Sequence, residues 1–348
     1  MALGTGERHR DVRRLPKAHL HLHFTGSMRP ATLLELADKH AIRLPVTLRE
    51  HHDVRLSPDE RGWFRFQRLY DAARACVRDA DDMRRIVLEA AQDDAAEGSR
   101  WLELQIDPTS YAPFVGGVTP ALEVVLDAAR EATAVTGTAV AVVVAASRVR
   151  HPLDARTLAR LAARHAGEDA ASVVGFGLSN DERRGWTSDF APAFAIARRA
   201  GLASVPHSGE LLGADHVAVT LDTLAPHRLG HGVRSAEDPD VLARVVEAGV
   251  ALEVCPASNV SLGVYPEPAA VPLRTLLDAG ARVALGADDP LLFGHRLLDQ
   301  YTSAREDHDL DDAALARLAR ASVEASRAPD DVRKDLLAGV DAWLGQPG

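Results

Sequence analysis

Short apolar runs alternate along this chain with longer stretches in which apolar residues recur every three or four positions. The short runs are 18–24, 101–106, 139–145, 173–178, 203–207, 228–231, 251–254 and 283–287, each of strand length and rich in apolar or β-branched residues. The stretches 31–40, 66–97, 119–136, 154–166, 188–200, 214–225, 238–248 and 271–280 carry the helical period. Thr119-Pro120 and Asp238-Pro239 read as helix starts with proline in the first turn, and Gly249 reads as a stop. Eight strands alternating with helices predict a (β/α)8 barrel. Two more helical stretches, 311–327 and 329–345, follow the eighth strand. No linker, repeat or low-complexity tract interrupts the alternation, so residues 1–348 are expected to form one domain. Residues 1–14 read as a disordered polar tail. Residues 41–64, with Pro45, His51, His52 and Pro58, read as a loop or lid insertion.

Composition narrows the partners. A chain of 348 residues, 46% hydrophobic, is long enough for one barrel and its core. It holds no run of about 18 apolar residues that would span a membrane. Met1 to Arg14 contains no apolar segment of a secretory signal. Cys76 and Cys255 stand far apart outside any CxxC, which excludes a disulfide framework and suits a reducing cytoplasm. A formal charge of −10 argues against a long nucleic acid as partner. A small-molecule substrate remains, with a homo-oligomer left open.

The chemistry begins in the first run, Ala18-His19-Leu20-His21-Leu22-His23-Phe24-Thr25-Gly26. Side chains two apart in a regular strand share a face, which would put the three imidazoles on one side. Two of them could converge on one divalent ion and leave positions open for other ligands. In a barrel, reactive groups sit at the C-terminal strand ends. Those positions are His207-Ser208-Gly209-Glu210, Gly230-His231-Gly232 and Asp288-Asp289-Pro290. Each alone has a bland reading: Glu210 as a helix-start carboxylate, Asp288-Asp289-Pro290 as a capped turn. Together on one rim with His21 and His23, they point to a reactive centre.

Pro16-Lys17-Ala18-His19-Leu20-His21-Leu22-His23 with Gly26, then His207-Ser208-Gly209-Glu210, Gly230-His231-Gly232, Ser258-Asn259 and Asp288-Asp289-Pro290, follow the order seen in adenosine deaminases. The chain resembles that family, the adenosine/adenine/AMP deaminase branch of the amidohydrolases, from about residue 15 to 327. It does not resemble the cytidine deaminases, whose H-x-E and P-C-x-x-C signature is absent. The resemblance implies that His21, His23, His207 and Asp288 hold one Zn²⁺, an N/O set suited to that ion. It implies that Glu210 protonates purine N1, His231 orients the attacking water, Asp288 also takes the water's proton, and Asp289 bonds purine N7. His23, Thr25, Asn180 and Asp289 would face the substrate. His19, where the family usually has a carboxylate, would line the barrel interior, and Ser258 and Asn259 would buttress the rim.

Two departures from the family pattern concern the substrate. Thr25 stands where adenosine deaminases carry the Asp that accepts the ribose 5′-hydroxyl. Its neutrality would suit a nucleoside with an acidic 5′ substituent, such as 6-aminodeoxyfutalosine, and makes plain adenine a weaker expectation. Asn180 stands where a glycine N–H contacts purine N3, and would reshape the pocket. Trp63, Phe66, Leu69 and Tyr70 have core spacing, although family members use an aromatic helix here as a wall over the nucleoside. Arg65, Arg68, Arg148 and Arg150 are candidates to meet a 5′ carboxylate. A metal-free binding barrel would have lost ligands that this chain keeps. A two-metal hydrolase would need a lysine after a middle strand, and none lies between Lys39 and Lys334.

Overall fold

The computed structural model of the chain describes residues 9–51 and 54–346. Among these residues eight strands pair in chain order, all in parallel: β1 (Lys17–His23), β2 (Ser99–Ile106), β3 (Ala139–Ser147), β4 (Val173–Ser179), β5 (Ala203–Ser208), β6 (Arg228–His231), β7 (Ala251–Val254) and β8 (Arg282–Leu285). Each falls on one of the eight apolar runs. The sheet curls until β8 meets β1 through a parallel bridge between Leu22 and Asp288. There Asp288 N–H donates to the His21 carbonyl and His23 N–H to the Asp288 carbonyl, both at 3.0 Å. The barrel is thus nearly closed, with helices outside, as the alternation predicts. No described helix is long and apolar enough to cross a membrane.

Local chemistry corrects some element boundaries. The single period over 66–97 is two helices, Glu60–Arg74 and Ala80–Ala96. Asp79 separates them because its carboxylate accepts from Asp82 N–H and closes a capping box, which stops any helix running through from upstream. The 41–64 stretch is not all loop: it holds a short helix, Val46–Arg49, and the start of Glu60–Arg74, capped by Asp59 through Gly62 N–H at 2.8 Å. His52 lies outside the described residues. Residues 9–14, expected within the disordered tail, are instead held by contacts. Arg10 pairs with Asp312 at 2.8 Å, Val12–Arg14 makes a 3-10 turn, and Trp343 Nε1 donates to the Asp11 carbonyl at 2.9 Å.

The interior has an apolar floor and a charged layer above it. Ala18, Leu20, Trp101, Ala141, Val143, Val174 and Ala284 form the floor with Val323, Ala328 and Leu336 from the C-terminal helices. Above it Arg228 lies between two carboxylates, with Nε donating to Glu253 at 2.5 Å and another nitrogen to Glu103. Arg228 also donates to the Ala325 carbonyl, and Glu103 accepts from Trp101 Nε1 and Arg327 N–H, so the charges are hydrogen-bonded throughout. Burial pushes Glu253 up, but Arg228 and His21 outweigh it and keep the carboxyl below its ordinary value.

Strand β1 is not regular, and this overturns the expectation for His19. His19 pairs with Leu102 and Leu22 with Leu104, so three β1 steps oppose two on β2. The extra residue turns His19 away from His21 and His23. Its Nδ1 meets Asp94 of the helix Ala80–Ala96 at 2.9 Å, outside the barrel interior.

The charged layer gives a first prediction. Arg228→Leu leaves Glu103 and Glu253 buried without their cation, and breaking such a pair from one side costs about 3–5 kcal/mol. The denaturant midpoint should fall accordingly. A loss within about 1 kcal/mol would mean that water or protons compensate the layer.

Candidate active site

A cavity of about 420 Å³ opens at the C-terminal strand ends, and its wall includes His23, His207, Glu210, His231, Asp288 and Asp289. Those side chains come from four strands, so barrel closure is what assembles them. Three residues there take left-handed backbone conformations that side chains rarely adopt: Asn180 (φ +80°), His231 (φ +64°) and Asp288 (φ +62°). Each costs about 1–3 kcal/mol, a strain that clusters at functional sites. Gly26 is required by close approach, since a Cβ there would lie 1.8 Å from Asp289 Oδ1.

The histidines and Asp288 form a tight cluster. His23 Nε2 faces His207 Nε2 at 3.2 Å, and Asp288 Oδ1 lies 3.2 Å from His23 Nε2 and 3.5 Å from His21 Nε2. His21 Nδ1 donates to Glu253 at 2.8 Å, which aims Nε2 into the cluster, where that buried atom has no hydrogen-bond partner. A carboxylate holding the far nitrogen of a ligand imidazole is a recurrent support for a metal. One proton would join the two facing ring nitrogens in a hydrogen bond, whereas a bound cation would engage the lone pairs of both. Burial acts to lower the His21 pKa, yet Asp288 and Glu253 raise it to about 10, so the cluster demands positive charge. His21, His23, His207 and Asp288 therefore fit a divalent metal. Ser258 Oγ donates to the other Asp288 oxygen at 2.6 Å and so braces the carboxylate.

Beside the cluster stand carboxyls of opposite protonation. Burial, reinforced by Asp288, pushes the Glu210 and Asp289 carboxyls well above their ordinary values, which favours their protonated forms. Burial also pushes at Asp288, but His21 and His23 outweigh it and hold it ionised. His231 Nε2 lies 3.6 Å from Glu210 and 3.9 Å from Asp288, and burial lowers its pKa to about 4, leaving it neutral. Cys255 lies within the same group of potential ligand atoms as His231 and Asp288, but burial holds its thiol protonated.

Sequence reasoning missed three supports. Glu182 accepts from three successive backbone N–H groups, of Glu210, Leu211 and Leu212, and from His216 at 3.1 Å. Despite burial, these bonds and His216 hold its pKa at about 2, and they fix the loop that carries Glu210. Glu253 does the same for His21. Gln105, at the end of β2, lines the cavity with both amide atoms buried and unpartnered. Only a charged or amide residue inside an apolar run could have signalled Glu253 and Gln105.

Other expected residues fall in different places. Asn180 is on the cavity wall, its Oδ1 accepting Asp181 N–H at 2.8 Å. Thr25 is buried behind the wall, its hydroxyl sharing a 2.5 Å hydrogen bond with that of Tyr111, which does line the cavity. Arg148 is also buried, donating to the His207 carbonyl at 2.7 Å and to Thr187, so it supports β5 rather than the rim. Arg65 and Arg68 are absent from the wall, because the helix Glu60–Arg74 presents Trp63, Phe66, Tyr70 and Arg74 instead. Arg150 does line the cavity, as do Asp71, Asp107 and Ser110.

A family model for adenosine deaminase matches residues 16–343. A protein of Streptomyces coelicolor named "Putative adenosine/adenine deaminase" is 62% identical over 97% of this chain and 99% of its own. The crystal structure of an adenine deaminase from Arthrobacter aurescens superposes with a TM-score of 0.86 at 29% identity, covering 95% of this chain and 99% of that one. The Arabidopsis protein ADAL, solved with IMP, gives 0.83 at 25% identity over 95% and 97% of the two chains.

The cluster should bind about one divalent ion per chain, its four protein ligands leaving room for water. Metal analysis of the purified protein would check this, and His207→Ala should remove the metal while leaving the fold. Two ions per chain, or full metal content in the variant, would contradict the ligand set.

Proposed function

The chain belongs to the adenosine deaminase family, and from that premise we propose that it is a zinc-dependent hydrolase replacing the 6-amino group of an adenine nucleoside with oxygen and releasing ammonia. The observation that carries this reading is that neutral His231 stands 3.6 Å from Glu210, whose carboxyl burial raises well above its ordinary value, and 3.9 Å from Asp288, which the imidazoles hold ionised. Adjacent groups whose surroundings push their protonation apart mark an acid and a base. His21, His23, His207 and Asp288 would hold the zinc. When bound, the ion supplies the Lewis acidity that makes water nucleophilic near neutral pH.

The protein residues divide the remaining work. Glu210 gives its proton to purine N1, which draws electrons from C6 and opens that carbon to attack. His231 orients the water and supports the negative charge that develops on it. Asp288 takes one proton of the water and passes it to the amino group, which leaves as ammonia; the other, on the new C6 hydroxyl, returns to Glu210 as the 6-oxo purine forms. Asp289, protonated, donates to N7, whose lone pair accepts. Asn180 on the cavity wall and the unpartnered amide of Gln105 are free to meet the rest of the base.

The length of the cavity favours a nucleoside over a bare base. Beyond the purine end it continues between the aromatic helix and the loops after β2 and β3, reaching Arg74, Asp107, Tyr111 and Arg150. A second reading follows from the two arginines there: a substrate with an acidic 5′ substituent, of which 6-aminodeoxyfutalosine is one. Adenine itself is the third reading, favoured by the names of relatives such as the Arthrobacter aurescens adenine deaminase.

Adenosine, deoxyadenosine, adenine, AMP and aminodeoxyfutalosine, each followed by loss of adenine absorbance, separate the three. Nucleosides should exceed adenine in kcat/KM by at least about tenfold, and adenine leading the panel would overturn the nucleoside reading. Glu210→Gln should keep zinc but lose at least about 10²–10⁴ in rate with every substrate, because an amide cannot protonate N1. A variant within about tenfold of the parent would remove Glu210 from that role. If an acidic 5′ group is bound, Arg150→Gln should cost that substrate about ten- to a hundredfold in kcat/KM, the worth of a charge-assisted bond, and adenosine less than about threefold.

A further inference from the structure

The bulge in β1 leaves a gap in the seam that a side chain fills. Gly286 N–H donates across to the Val254 carbonyl on β7, and Asp288 N–H donates to the His21 carbonyl on β1. In a regular strand, residues 286 and 288 would face the same neighbour. The chain therefore turns at Asp288, consistent with its φ of +62°. Ala287 N–H, between them, finds no backbone carbonyl: it donates to Nε2 of His19 at 3.1 Å. Had β1 been regular, His19 would have stood inside the barrel and out of reach.

That contact dictates which nitrogen of His19 carries the proton. Nε2 must be bare to accept from Ala287, so Nδ1 bears the hydrogen and donates it to Asp94, whose two oxygens lie 2.9 and 3.0 Å away. The opposite tautomer would aim one N–H at another. His19 and Asp94 are both almost wholly buried, so water cannot substitute for either. Asp94 belongs to the helix Ala80–Ala96, which packs on β2 outside the barrel.

We propose that His19, with its tautomer fixed by Asp94, is a positioning residue: it holds the Ala287 peptide so that Asp288 keeps its left-handed backbone and its carboxylate stays aimed at His21 and His23. It touches neither substrate nor reacting atoms. The proposal rests on Asp288 being a metal ligand and attacking base, as read above, but its first test does not. In the full-length protein, imidazole ¹⁵N spectra should show His19 protonated at Nδ1 and bare at Nε2, its resonance assigned by its loss in His19→Gln. A proton on Nε2 overturns the proposal whatever the substrate or metal.

Two substitutions then separate positioning from packing. His19→Met fills the space without an acceptor, whereas His19→Gln can place an amide oxygen near the former Nε2. The Met variant should lose about tenfold or more in kcat with KM within about threefold, the pattern of a group acting on the transition state alone. Its affinity for Zn²⁺, measured by chelator competition, should weaken about 10–100-fold, as for other supports behind a ligand. The Gln variant should recover most of both. Equal losses in the two variants, or a rise in KM alone, would make His19 a packing residue and end the proposal. Should His19→Met fail to fold, Asp94→Asn serves: losing the carboxylate's charge weakens the preference for a proton on Nδ1, so the ¹⁵N spectrum should show a fraction of Nε2–H and kcat should fall with it. A kcat that stays at the parent value while the tautomer shifts would also count against the proposal.

Discussion

Closing the barrel between β8 and β1 fixes the reactive centre, because the hydrogen bonds that make the seam belong to the residues that make the site. Asp288 donates to the His21 carbonyl and accepts from His23 N–H, so the backbone that completes the sheet also delivers a carboxylate between two imidazoles. Any slip of β8 against β1 would move that carboxylate away from both rings. Strain at Asp288 is tolerated because the seam, Ser258 and the His19 contact hold it from several sides.

The same seam sits on a chain of buried charges whose signs alternate. Glu103, Arg228, Glu253, His21 and Asp288 follow one another through the interior, each paired with the next. A buried charge is costly alone and tolerable when matched, so each member constrains its neighbours' protonation. Glu253 keeps a proton on His21 Nδ1 and thereby leaves Nε2 as the nitrogen facing the cluster. Across the cavity, Glu182 gathers three backbone N–H groups and ties down the loop that places Glu210 near Asp288. Burial can then keep Glu210 protonated while Asp288 is ionised. The opposition between the two carboxyls is a property of the whole buried network.

Much of this was legible in the sequence, and the failures have physical causes. The eight strands were visible because buried parallel strands are short and apolar. His21, His23, His207, Glu210, His231, Asp288 and Asp289 were visible because barrel chemistry sits at strand ends, and the structure brings all seven to one place. His19 was misread because a period of two assumes a regular strand, and a bulge leaves no mark in hydrophobicity. The break at Asp79 was missed because a capping box overrides a continuous apolar stripe. Thr25 and Arg148 were placed by position along the chain, whereas what they face is decided by Tyr111 and the β5 backbone, distant in sequence. Glu182 and Glu253 act through contacts made only when the barrel closes, and only then does Gln105 face the cavity.

Chemistry and selectivity are carried by different parts of the molecule. The groups proposed to handle protons and to hold the metal stand on β1, β5, β6 and the β8 turn, where strand pairing fixes them. The far wall comes from the helix Glu60–Arg74 and the loops after β2, β3 and β4, including Arg74, Tyr111, Arg150 and Asn180. Those segments pack on the barrel without belonging to its sheet, so their side chains can change without disturbing the seam. Thr25 is the exception, since it lies in the turn directly after β1 yet reaches the wall only through the Tyr111 hydroxyl. A change at Thr25 therefore reaches the substrate end as a shift of Tyr111, not as a direct contact. A change in that wall would for that reason alter which purine compound fits without moving the groups on the strand ends.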